Sequence, residues 1–209
     1  MTSVPLGNFC LPVPLEIALE TLATWSREPE CWTCAGGEGA RMADALLVVD
    51  VQRELVEALP PERRATFLAT LNDLIEHARA SDAPLVYVRH QDDFLRAGTP
   101  AWEIADDVAP RKGEPIVEKQ HSDAFEETTL SDVLASLGAD HLVICGMQSD
   151  YCVNATARGA ASRNYRVTLV EDAHATYDEG GLTEAQICEK INRELRDTGV
   201  RVAAASTIF

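Results

Sequence analysis

One alternation constrains most of what this chain can fold into. Five apolar, β-branched runs, Ala45 to Val51, Pro84 to Arg89, Ile116 to Glu118, His141 to Cys145 and Arg166 to Val170, alternate with segments of helical period, and Val200 to Ala204 offers a sixth run. Strands that alternate with amphipathic helices make βαβ units around a parallel sheet. Phe67, Leu71, Leu74, Ile75 and Ala78 share one helical face between the first two runs, and Leu130, Val133, Leu134 and Leu137 share another between the third and fourth. After Cys152, Val153, Ala157, Ala160 and Ala161 repeat the spacing with small side chains, which predicts a helix seated close to its strands. Ala185, Cys188, Ile191 and Leu195 repeat it once more. The expected fold is α/β: a doubly wound, mainly parallel sheet of about six strands.

The alternation occupies residues 42–209, and with 46% apolar residues in a chain of 209 it can bury one sizeable core. Residues 1–41 fit it poorly and read as an N-terminal extension, either appended or lying upstream of the natural start; Leu15 to Trp25 can form a short amphipathic helix there. Cys31 and Cys34 are one short-spaced pair with no second pair to complete a tetrahedral zinc site. Thirty-four acidic against eighteen basic side chains give a formal charge of −16, which repels phosphate backbones and anionic lipid, so neither nucleic acid nor a membrane is an expected partner. No apolar run reaches the roughly 18 to 20 residues of a membrane span, and the beginning of the chain lacks the basic-then-apolar layout of a signal peptide. A cytoplasmic protein with reduced thiols is expected, the six cysteines being irregularly spaced. Residues 91–115, rich in Gly, Pro and Asp, form either a solvated loop or an excursion that covers a pocket.

In open parallel sheets ligands bind beyond the carboxyl ends of the strands. There Asp50 closes "ALLVVD", Lys119 closes "PIVEK", and Cys152 opens the helix expected after "LVICG". Taken singly, each has an ordinary reading: a turn residue, a solvated strand end, a small buried hydrophobe. Together they place a carboxylate, an ammonium and a thiol at three strand ends, where the two charges can pair and so offset the cost of burial. A cysteine in the first turn of a helix feels the positive end of the helix dipole, and a neighbouring ammonium lowers its pKa further, so a thiolate nucleophile is expected. Asp50 would take the thiol proton and return it to a leaving amine, with Lys119 keeping the aspartate ionised. The backbone N–H groups of Gln148 and Cys152 would face the oxygen of the attacked carbonyl.

The strings "ALLVVDVQRE" at 45–54, "EPIVEKQHSDAFEETTLSDVL" at 114–134, "LVICGMQSDYCVNATARGAASRNYRVTLVEDAHATYD" at 142–178 and "LTEAQICEKIN" at 182–192 resemble the isochorismatase-like cysteine hydrolase family, in order, over about residues 43–204. The resemblance implies a three-layer α/β/α sandwich and a catalytic triad of Cys152, Asp50 and Lys119. It also implies a cis peptide between Met147 and Gln148, and a homo-oligomer. Nicotinamidases of this family hold a metal with an Asp-x-His and a further His; this chain offers only "RHQDD" at 89–93 and His121, so neither a metal nor another cofactor is expected. Isochorismatases that act on a vinyl ether lack the nucleophilic cysteine, so Cys152 favours cleavage of an amide or carbamoyl bond in a small molecule, and the long middle string is similar to a metal-independent branch that includes streptothricin hydrolase-like proteins. His90, Phe125 and Tyr151, with Trp102 reaching in from the 91–115 excursion or from a neighbouring subunit, are the expected pocket residues. Other classes stay open: a non-amide hydrolase, or a non-catalytic or redox protein retaining the fold. His174 as a base and Cys145 as a redox partner of Cys152 are weaker alternatives.

Overall fold

The computed structural model describes residues 43–209; the expectations about residues 1–42, including the Cys31–Cys34 pair and the helix at Leu15 to Trp25, lie outside the described residues. In chain order the elements are β1 (Ala43–Val49), α1 (Arg53–Glu57), α2 (Pro61–Ala80), β2 (Leu85–His90), β3 (Ile116–Lys119), α3 (Leu130–Ser136), β4 (Ala139–Met147), α4 (Asn154–Ser162), β5 (Arg166–Ala175), α5 (Glu184–Asp197) and β6 (Arg201–Ala203). The six strands form one sheet in the order β3-β2-β1-β4-β5-β6, and every pairing is parallel. The chain winds outward from β1 to β3, then returns to the other side of β1 with β4. The reversal between β1 and β4 leaves a crevice at their carboxyl ends.

Alternation along β1 sorts the core into two layers. Leu47 and Val49 face α3, α4 and α5, whose Leu130, Leu134, Ala157, Ala160, Ile187, Ile191 and Leu195 cover that side. Leu46 and Val48 face the other way, against Val56 of α1 and the Phe67, Leu71, Leu74, Ile75 and Ala78 stripe of α2. Each such aliphatic side chain contributes about 1.5 to 3 kcal/mol when fully buried, so both stripes hold their helices to the sheet. Pro61 sits in the first turn of α2, where its missing N–H costs nothing. In α5, Thr183 and Gln186 cap each other reciprocally. The buried face of α5 is Ile187, Cys188, Ile191, Asn192 and Leu195, while Ala185 is exposed.

At their carboxyl ends two strands run more than one residue beyond their apolar runs. β4 continues through Gly146 to Met147 and β5 through His174 to Ala175, because Gly146 pairs with His174 and Met147 with Ala175. Gly146 has φ 122°, and a Cβ there would meet the backbone carbonyl of Val49. Only glycine lets β4 press this close to β1. Val153, just before α4, and Ala157 and Ala160 on it are buried in the core, and a Cβ on Gly159 would collide with the Asp123 carboxylate of the loop after β3. No helix among the described residues is long and apolar enough to cross a membrane.

Candidate active site

Three strands end at one place. At the end of β1, Asp50 adopts φ 49°, a left-handed conformation that Asp tolerates better than most residues, and its side chain is buried. At the end of β3, Lys119 is also buried, and its Nζ lies 2.7 Å from Asp50 Oδ2. The same ammonium donates to Cys152 Sγ at 3.1 Å, to His90 Nδ1 at 3.1 Å and to the His121 carbonyl at 3.1 Å. After β4, residues Ser149–Val153 form a π-helical turn that leads into α4. The Gln148 carbonyl accepts the N–H groups of Tyr151 and Val153 and passes over that of Cys152. The Met147–Gln148 peptide bond is cis. Such π-turns recur at functional sites.

The electrostatics follow from burial. Removal from water raises the Asp50 carboxyl above its usual value, opposed by the charge of Lys119. Burial lowers the Lys119 ammonium, but the negative charge of Asp50, with hydrogen bonds to Asp50 and Cys152, outweighs it and the net shift is upward. Burial and then the Asp50 carboxylate push the Cys152 thiol up to about 12, against the pull of Lys119. The expected resting thiolate is therefore corrected: at neutral pH sulfur keeps its proton beside a carboxylate able to take it. His90 is depressed by burial and by Lys119, which leaves a neutral imidazole accepting from the ammonium at Nδ1.

Asp50, His90 and Cys152 offer a carboxylate oxygen, an imidazole nitrogen and a sulfur within 4.8 Å of one another, the donor set of a small metal site. The Lys119 ammonium already reaches all three, at 2.7 to 3.1 Å, so their shared lone pairs point at a cation supplied by the chain itself.

This cluster forms one wall of a cavity of about 350 Å³, lined by His90, Met147, Gln148, Tyr151 and Cys152 among others. The 91–115 excursion covers it in part, contributing Asp92, Phe94 and Leu95. Two expected pocket residues lie elsewhere. Phe125 is buried in the core, its ring 5.6 Å from that of Tyr165 and under the Arg163 guanidinium. Trp102 is stacked 3.3 Å beneath the Arg89 guanidinium, and its carbonyl accepts from Gln52 Nε2 at 2.8 Å. Phe125 was placed by closeness in sequence and Trp102 by its position on the excursion, and neither carries information about the direction of a side chain.

Gln52 was not marked by any pattern in the sequence. Gln52 is fully buried; its amide donates to the His90 and Trp102 carbonyls and accepts from the His90 N–H, tying the ends of β1 and β2 to the excursion. Behind the π-turn, His174 Nε2 is 3.0 Å from Asn192 Oδ1, which leaves Nδ1 to accept from Ser149 Oγ at 2.8 Å. Both nitrogens of His174 are thus engaged away from the cavity. Cys145 packs in the layer opposite Cys152 and donates to the Leu47 carbonyl at 3.6 Å. Glu54, Leu55 and Ala58, at and just after α1, and Tyr177, just after β5, line the cavity; no motif marks them.

Residues 44–203 match the Isochorismatase domain family. Streptothricin hydrolase from Streptomyces noursei is 42% identical over 144 residues, which are 66% of this chain and 56% of that protein, so this chain spans little more than half the length of that relative. The secreted isochorismatase effector Isc1 of Verticillium dahliae is 32% identical over 157 residues, 73% of this chain and 83% of that protein. Among solved structures, N-carbamoylsarcosine amidase from Thermoplasma acidophilum superposes with a TM-score of 0.66 at 29% identity, covering 78% of this chain and 97% of that one.

Proposed function

The chain belongs to the isochorismatase family, and on that premise we propose that it is a cysteine hydrolase that cleaves the C–N bond of a small-molecule amide or carbamoyl compound. One observation carries the reading. A single buried ammonium, Lys119 Nζ, stands 2.7 Å from a buried carboxylate and 3.1 Å from a thiol that opens onto a cavity. A carboxylate with a raised pKa is a better base than an ordinary one, and a protonated thiol beside it needs such a base. A structural neighbour named for amide cleavage, N-carbamoylsarcosine amidase, and a relative named as a hydrolase, streptothricin hydrolase, support the same class of reaction.

Cys152 Sγ attacks the carbonyl carbon while its proton passes to Asp50, and the N–H groups of Gln148 and Cys152 face the carbonyl oxygen as it takes negative charge. Asp50 then gives the proton to the departing nitrogen, the C–N bond breaks, and a thioester on Cys152 remains. A water molecule that loses a proton to Asp50 adds to the thioester, the acid leaves, and the proton returns to sulfur. Throughout, Lys119 holds a positive charge against whichever neighbour is anionic, first Asp50 and then the developing thiolate.

The test is a panel of primary amides and carbamoyl compounds assayed for ammonia release with wild type and Cys152→Ala. Release by wild type that is lost in the variant supports the reading. Release that survives in Cys152→Ala, or none from any compound alongside rapid alkylation of Cys152, overturns it.

A further inference from the structure

We propose that the substrate carries a positive charge close to its scissile amide, and that Glu54, assisted by Asp92, selects for it. This rests on the hydrolase reading of the same cavity and names its substrate class. Three carboxylates line the cavity, those of Asp50, Glu54 and Asp92, and no lysine or arginine is among the lining residues. Asp50 is spent on Lys119, 2.7 Å away. Glu54 is different: half-buried, it has no ion pair or side-chain hydrogen bond among the described residues, and its charge is felt by the neighbouring Tyr177 hydroxyl. Asp92 holds its own loop, with Oδ1 accepting the N–H groups of Phe94 at 2.8 Å and Leu95 at 2.6 Å. Its Oδ2 lies 3.4 Å from His90 Nε2, and because that imidazole is neutral the carboxylate charge is not cancelled.

The cavity thus presents a net negative wall beside the neutral Asp50–Lys119 pair. An amide that also bears a carboxylate would meet two uncompensated like charges and no cationic partner, a repulsion that discriminates against it. An ammonium or guanidinium group instead finds Glu54, Asp92 and aromatic surface. Tyr177 is held by its hydroxyl donating to the Leu55 carbonyl at 2.6 Å, and the Tyr151 hydroxyl, donating at 3.1 Å, brings Glu179 to the rim. The formal charge of −16 further attracts a cationic substrate at long range.

The experiment uses three primary amides of similar length: 4-aminobutanamide (cationic), pentanamide (neutral) and succinamate (anionic). Protection of Cys152 from iodoacetamide measures occupancy, and ammonia release measures turnover. The expected order is cationic over neutral over anionic, with 4-aminobutanamide half-protecting at about tenfold lower concentration than pentanamide in low salt, and the gap narrowing at high salt. Glu54→Gln brings the ratio toward one and Glu54→Lys inverts the order; a purely structural role for Glu54 would lower protection by all three alike. Asp92→Asn, which keeps the loop acceptor, narrows the gap by a smaller factor. Equal protection, no protection, or preference for succinamate in wild type overturns the proposal even if ammonia is released, which leaves the hydrolase reading standing. The expected order without ammonia from any amide sinks the hydrolase reading and keeps cation recognition.

Discussion

Two buried polar clusters flank the π-turn, and they differ in charge and in access. On one side Asp50, His90 and Cys152 meet at 2.7 to 3.1 Å from the Lys119 ammonium and line the cavity. On the other, Ser149, His174 and Asn192 meet at 2.8 and 3.0 Å, with Cys188 Sγ 3.2 Å from Ser149 Oγ, and none of them lines the cavity. By residue type the second cluster looks more like hydrolytic machinery than the first. A hydroxyl bonded to an imidazole that an amide orients is the pattern of a serine triad. Yet Ser149 is 0% exposed, and burial depresses His174, so the group is neutral and sealed. Neutral, fully bonded groups can stay buried at little cost, whereas buried charges need partners and so do not persist without one. In the proposed reaction the charged cluster carries the chemistry, and the neutral one holds the turn that carries Gln148 and Cys152.

The sharpest way to break this division is to remove each candidate nucleophile. Cys152→Ala is expected to lower turnover at least about 10⁴-fold, since the covalent route is lost, while Ser149→Ala keeps it within about tenfold of wild type. A dead Ser149→Ala that folds normally, alongside an active Cys152→Ala, would exchange the roles of the two clusters.

The next effect separates stability from activity. Asp50→Asn leaves Lys119 buried beside a neutral amide, and Lys119→Met strands the carboxylate; each is expected to lower turnover at least about a hundredfold and unfolding free energy by about 3 to 5 kcal/mol. The double variant Asp50→Asn/Lys119→Met removes both charges and keeps a residue suited to the left-handed conformation at position 50, so denaturant titration should show much of that stability regained while ammonia release stays absent. Recovery of turnover in the double variant would detach the pair from the mechanism.

The neutral cluster predicts the opposite balance. His174→Leu leaves Ser149 and Asn192 without their shared partner, a loss of about 1 to 3 kcal/mol in chemical denaturation. Turnover at a temperature where the variant is folded should fall less than about tenfold, as for a group that positions the turn without touching substrate. A pH profile unchanged in shape would mark His174 as positioning, since it takes no proton in the reaction.

How far each cluster was legible in the sequence follows from the same contrast. The charged one sits at strand ends, and the rule that parallel sheets bind ligands there pointed at Asp50, Lys119 and Cys152 before any coordinates. The neutral one joins residues 25 and 18 positions apart through a late part of β5 and the inner face of α5, and no local pattern links them. The strands themselves were legible as apolar runs, except where β4 extends past Cys145 and β5 past Val170. That extension depends on pairing with His174, a long-range contact that reads locally as a glycine turn. Glu54 was invisible because α1 is only five residues long, too short for a hydrophobic period to declare a helix.

The finest test lies in the thiol itself. Its pKa is pushed up to about 12 by burial and by Asp50, and pulled down by Lys119. Iodoacetamide reacts with thiolate, so labelling of Cys152 should be slow at neutral pH and quicken as pH rises. Asp50→Asn removes a negative neighbour and should move that rise to lower pH; Lys119→Met removes a positive one and should move it higher. Turnover should show the mirror-image dependence at the acid end. Asp50 must be ionised to accept the proton, and its pKa is raised, so kcat/KM should fall as pH drops through a value above that of an ordinary aspartate. A cysteine that labels fast at neutral pH, insensitive to both substitutions, would mean the sulfur rests as a thiolate in solvent. The charged cluster would then have no more claim on the reaction than the neutral one behind it.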